Sequence, residues 1–142
     1  VIVIASLLGC VGEEIGWRGF MLNAYNKKYS LIISAVYTGL LWGIWHLGKL
    51  ALYGVSGYLL FVIMITEFSI IMSWIYLKTN KNLVCMILFH LSINVTSLLF
   101  LTEREGILFY LVCCAISAIV CTLVILIDRK RFTVLTSYEE II

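Results

Sequence analysis

Residues 9–20 read GCVGEEIGWRGF, with two adjacent carboxylates, Glu13 and Glu14, and one guanidinium, Arg18, between stretches that carry no charge. The composition around the segment decides what such charges mean. Of 142 residues, 63% are hydrophobic and 13% charged, and the mean hydropathy is +1.08. A soluble domain is about half apolar and about a quarter charged, so the chain falls in the membrane class. Its length suits one all-α transmembrane bundle, read here as a single domain over residues 1–142. The net charge of +2 is too small to point to nucleic acid. We expect an excerpt of a longer membrane protein, because the chain opens on Val1 inside an apolar run with no basic leader.

Working outward, four apolar runs are long enough to cross a bilayer as helices: Leu31–Leu50, Gly57–Leu77, Leu83–Leu101 and Ile107–Ile127. A fifth, Val1–Val11, reads as the end of a truncated span. The breaks fall at NKKYS, YGVSG, KTNKN, TEREG and DRKRF, all short and polar or glycine-bearing. With alternating spans, Lys27, Lys28, Lys78, Lys81, Arg129, Lys130 and Arg131 share one side, while Lys49 and Arg104 (flanked by Glu103 and Glu105) lie on the other. The basic side is expected to be cytoplasmic, which puts the C-terminus inside. Cys10, Cys85, Cys113, Cys114 and Cys121 lie in apolar runs without metal or disulfide spacing, and read as small core or lipid-facing residues.

A charge at mid-bilayer costs roughly 2.5–3.5 kcal/mol, so those present need partners. Glu13, Glu14 and His46 each lie about 16 residues from the turn at Tyr29 and Ser30, a depth of roughly 24 Å on either arm of a helical hairpin. Asn94 lies roughly 21 Å from the turn near Asn80, and His90 one turn closer to it. These groups converge at one level. Glu14 and Arg18 are an i,i+4 pair that can neutralise each other. Glu13 is rotated by about 100° from Glu14, so the two cannot both serve Arg18 equally well, and one carboxylate is left for chemistry. His90 and Asn94, also i,i+4, face one spot. Glu67, far from other charges in sequence, reads as a hydrogen-bonded helix–helix contact. Trp17, Trp42 and Trp45 are expected to pack around the site.

A carboxylate with a histidine can deprotonate a water, and a second histidine with an amide can bind an oxyanion. That combination describes peptide hydrolysis by activated water. No G-x-S-x-G is present, and Asp128 is the only aspartate, which excludes an aspartyl dyad. A zinc site from Glu13, His46 and His90 stays open chemically, although there is no H-E-x-x-H.

The ordered segments EEIGWR, WGIWH and HLSIN resemble the EExxxR, FxxxH and HxxxN/D motifs of the CAAX prenyl endopeptidase and bacteriocin-processing family (CPBP, or Abi). Glu13, Glu14 and Arg18 match the first motif, His46 the second, and His90 with Asn94 the third. Trp42 stands where phenylalanine is usual. The resemblance covers Glu13 to Asn94 and implies an all-helical intramembrane protease. Metal use in the family is argued both ways; the metal-free glutamate mechanism is the expectation here, with zinc as the alternative. Carried over, Glu13 and His46 activate the water, His90 and Asn94 form the oxyanion site, and Glu14 and Arg18 support them. Bacterial members are linked to bacteriocin self-immunity and peptide maturation, so a peptide or lipopeptide substrate in the cell membrane is expected. Non-catalytic peptide binding, a transporter and a zinc-dependent protease are the rival readings.

Overall fold

The computed structural model describes residues 2–100 and 107–133, and among them every regular element is helical. Helix α1 (Ile2–Glu14) runs directly into a π-helical stretch (Ile15–Leu22) and a short α2 (Asn23–Asn26). Then come α3 (Leu31–Trp45), α4 (Lys49–Lys78), α5 (Leu83–Phe100), α6 (Ile107–Ile127) and α7 (Arg129–Thr133). Glu103, Arg104 and Glu105 lie outside the described residues. The π stretch is where the first motif sits. A π-helix bonds i to i+5 and disturbs the regular ladder. Here Asn23 Nδ2 donates towards the carbonyls of Arg18 (2.8 Å) and Gly19 (3.0 Å) and towards Tyr76 Oη (3.1 Å). One amide thus satisfies the irregular backbone and pins it to α4.

Helices α3 and α4 run antiparallel and nearly touch along GLLWG (39–43). A Cβ on Gly39 would stand 2.6 Å from Thr66 Cα and 2.8 Å from Ser69 Cβ, and one on Gly43 would stand 3.0 Å from Val62 Cγ1. Small residues four apart let two backbones approach, as membrane helices commonly do. The close approach also brings Ser69 Oγ within 2.9 Å of the Ala35 carbonyl and Tyr58 Oη within 3.2 Å of that of Gly43. Gly39→Ala is therefore expected to cost about 1–3 kcal/mol through overpacking. Gly48→Ala, where a Cβ meets nothing within 4 Å, is expected to be close to neutral. Thermal unfolding of both variants in one detergent checks the contrast.

Helices α4 and α6 run parallel. Ser117 Oγ donates to the Glu67 carboxylate, the Cys114 thiol lies 3.3 Å from the Leu60 carbonyl, and Trp74 Nε1 lies 3.2 Å from Asp128 Oδ2. Glu67 is thus the hydrogen-bonded helix–helix contact that its isolation suggests. Helix α1 lies antiparallel against α5, pairing Glu14 with His90 and Cys10 with Asn94. All five cysteines are free thiols, three of them buried.

The helix boundaries differ from the hydropathy reading. Leu31–Leu50 does not form one helix: the chain turns over His46–Gly48 and re-enters a helix at Lys49, which kinks at Gly54 (φ 65°). The apolar content stays high through this turn, so hydropathy alone does not register it. Two helices, Lys49–Lys78 and Tyr110–Ile127, are long and apolar enough to cross a membrane, while Leu31–Trp45 and Leu83–Leu98 are apolar but shorter. The expected four complete spans plus a truncated one are not reached on this measure. Large apolar side chains are nonetheless exposed along α6, among them Leu108, Leu111, Ile116, Ile119 and Leu123. Such a face suits lipid better than water.

The antiparallel and parallel pairings place the C-terminal end of α4, the start of α3 and the end of α6 at one end of the bundle. The expected basic side is therefore one physical end. There Lys78 Nζ (2.9 Å) and Arg131 Nε (3.0 Å) converge on Asp128. The hydrogen bond from Lys78 is the main cause of an Asp128 carboxyl held below its usual range. A depressed carboxylate stabilises the fold above its unfolded-state value and loses that contribution as pH falls through the folded value. The tie is expected to weaken only in acid, below about pH 4.

Candidate active site

Glu14 and Arg18 straddle the junction of α1 with the π stretch and are both fully buried, with Arg18 Nη1 2.8 Å from Glu14 Oε1. His90 Nδ1, arriving from α5, stands 2.9 Å from the same oxygen. Buried charges persist only when paired, and this carboxylate has two partners. Arg18 is held further by Met72 Sδ at 3.3 Å and by the Trp42 ring, 4.5 Å from its guanidinium carbon. The i,i+4 spacing makes the Glu14–Arg18 pair legible in sequence. The contact with Met72, 54 residues away, leaves no sequence signal.

Glu13 faces elsewhere, as the 100° offset requires. Its Oε2 accepts from Trp42 Nε1 at 2.6 Å and from Trp17 Nε1 at 3.3 Å. Trp42 also holds His46, whose Nδ1 lies 2.9 Å from the Trp42 carbonyl. A carbonyl only accepts, so Nδ1 carries a proton, and in the neutral ring Nε2 is the nitrogen with the lone pair. His46 can be held this way because it ends α3, with φ −89° and ψ 26°. Glu13 and His46 therefore do not bond each other directly; Trp42 bridges them. That bridging indole is the functional feature the sequence reading did not anticipate, although an aromatic ring four residues before His46 was its signal.

His46, His90, Asn94 and Trp42 line one cavity of about 830 Å³. Trp42 is central to it, its ring centroid 4.9 Å from that of His90 and 6.4 Å from that of His46. Glu13, Glu14 and Arg18 are not among the lining residues and attach to the wall through Trp42 and His90. Asn94, half-buried, lies with Nδ2 3.4 Å from Cys10 Sγ. The contact with Glu14 is thus made by His90 rather than Asn94, one helical turn from the matched depth. Trp17 and Trp42 pack at the site, but Trp45 is 70% exposed and does not. It is offset from Trp42 by only about 60° round α3, and its exposed side chain lies outside the site.

Apolar helices with outward-facing aliphatic side chains, enclosing a cluster of ionisable groups, define the class of membrane proteins with a buried polar site. The family model described as Type II CAAX prenyl endopeptidase Rce1-like matches residues 1–96, a range that contains every motif residue, and the chain belongs to that family. It is also 29% identical, over 147 aligned positions, to a protein named CAAX prenyl protease 2 of Methanococcus maripaludis. That alignment covers 92% of this chain and 51% of the relative, so the chain spans about half the relative's length.

Proposed function

We propose that the chain is the catalytic core of an intramembrane endopeptidase that cuts a CAAX-like, peptide or lipopeptide substrate near its C-terminus. Bacteriocin maturation and self-immunity are roles this activity would serve. One observation carries the reading: His46, His90 and Asn94 share a cavity wall with Trp42, which holds Glu13 by its indole and His46 by its carbonyl. Family membership and the relative's name support the same reaction class.

In the proposed reaction a water sits between His46 Nε2 and the Glu13 carboxylate, which together remove its proton. The hydroxide forms a bond to the scissile carbonyl carbon, and the electron pair moves to the carbonyl oxygen. Asn94 Nδ2–H and His90 donate hydrogen bonds to that oxyanion. With its Nδ1 proton directed at Glu14, His90 donates from Nε2 when the ring carries both protons. Collapse of the intermediate breaks the C–N bond as the abstracted proton passes to the departing amine. Glu14, oriented by Arg18, fixes the His90 ring rather than meeting substrate. The chain is proposed to be a multi-pass membrane protein with α1, α3, α4, α5 and α6 crossing or entering the bilayer. The basic end and the C-terminus are placed in the cytoplasm.

The proposal assigns no metal. Among the described residues no three His, Cys, Asp or Glu side chains are grouped to hold one ion. The full chain in nanodiscs is expected to cut a farnesylated peptide with a CAAX-like end, releasing a C-terminal fragment detected by mass spectrometry. The rate should be unchanged after exhaustive chelation. Binding without cleavage would leave a peptide-binding protein, and loss of cleavage on chelation restored by zinc would establish the metal-dependent reaction.

A further inference from the structure

Besides the histidines, the cavity wall carries one ionisable nitrogen among its lining residues, that of Lys49, and no carboxylate. Lys49 opens α4 directly after the turn that positions His46, and its backbone N–H bonds the His46 carbonyl at 2.9 Å. Its Nζ lies 5.3 Å from the Tyr53 ring centroid and 5.0 Å from that of Phe61. Both rings line the same cavity. No salt bridge to Lys49 exists among the described residues; unlike the other basic residues without one, it lines the cavity. The kink at Gly54 turns the first part of α4, Lys49–Tyr53, away from the line of the rest of the helix. A cation held by aromatic faces in a cleft that has no lining carboxylate, and without a carboxylate partner among the described residues, attracts an anion.

Phe61 sets the scale. Its ring centroid lies 5.5 Å from that of His46 and, on the same ring, close to Lys49. Base and cation are therefore within roughly 10–11 Å of each other, a reach that a short extended segment of substrate can span. We infer that Lys49 anchors the terminal α-carboxylate of the substrate, so that the cut is measured from the free C-terminus. This assignment rests on the protease reading and adds a recognition element to it. Binding the leaving fragment's carboxylate involves no bond change at Lys49.

The test uses the full chain in nanodiscs and one peptide sequence made twice, with a free C-terminal acid and with a C-terminal amide. Wild type is expected to prefer the acid by roughly 10-fold or more in kcat/KM, since a charge-assisted contact is lost with the amide. Lys49→Met should bring the ratio close to one, chiefly through KM, and Lys49→Arg should largely restore it. A ratio taken on one preparation cancels any loss of folded protein. Cleavage with an acid preference that survives Lys49→Met overturns the anchor and leaves the protease standing. If neither peptide is cut, fluorescence anisotropy decides: an acid preference in binding that Lys49→Met abolishes keeps the anchor while the protease reading fails. Zwitterionic and anionic nanodiscs separate the other source of an anion. An effect of Lys49→Met confined to anionic lipid, with no acid preference, assigns the cation to a headgroup and overturns the proposal.

Discussion

Glu14→Leu is expected to destabilise the protein by about 3–5 kcal/mol, because it leaves Arg18 buried without its counter-charge. Arg18 has no exposed surface; Met72 Sδ and the face of Trp42 still touch it, and the nearby Glu13 carboxylate is bonded to the indoles instead. None of these replaces the Glu14 carboxylate. In a thermal unfolding series the midpoint should fall by about 10 °C or more. The double variant Glu14→Leu/Arg18→Met removes both charges from an apolar surround, and such replacements are often neutral or stabilising. Its midpoint should return close to wild type. Cleavage should not return with it, because His90 has lost the acceptor that orients its ring. Recovery of both would make Glu14 a purely structural partner of Arg18.

The second large effect is expected at Glu13. Glu13→Gln keeps an oxygen for the indoles of Trp42 and Trp17 but removes the proton acceptor. A general base is worth about 10²–10⁴ in rate, so kcat should fall by that order with little change in unfolding midpoint. Glutamine at 14 should behave differently, lowering stability as well as rate. The pair of variants separates the two adjacent carboxylates by what each is bonded to. A Glu13→Gln enzyme that cuts at the wild-type rate would move the water to Glu14, whose Oε2 has no hydrogen-bond partner among the described residues.

Much of this site was legible because helices impose fixed spacing. Glu14 with Arg18 and His90 with Asn94 follow from the i,i+4 rule. The depth count brings α1, the end of α3 and α5 to one level with an error of a single turn, visible in Glu14 meeting His90 rather than Asn94. What was not legible has physical reasons. A π-helical stretch changes residues per turn without changing composition, so Ile15–Leu22 reads as ordinary apolar helix. The turn at His46–Gly48 is equally silent, since Leu47 and Leu50 keep the run apolar while the backbone reverses. The role of Trp42 depends on an indole N–H and a main-chain carbonyl, and neither shows in a hydrophobicity pattern. GLLWG was present as a small-residue pair, yet only the 2.6 Å approach to Thr66 shows which helix it meets.

His46 offers the most direct test of water activation in this cavity. It ends a helix, is half-buried, and makes its ring hydrogen bond to a single main-chain carbonyl, so His46→Ala should fold. The measurement is single-turnover cleavage of the acid peptide in nanodiscs, with peptide binding followed by anisotropy on the same preparation. The expected result is a fall in the chemical rate of at least about 10², with affinity changed by no more than about threefold, as for a group that acts in the transition state alone. Cleavage at the wild-type rate by folded His46→Ala would contradict it.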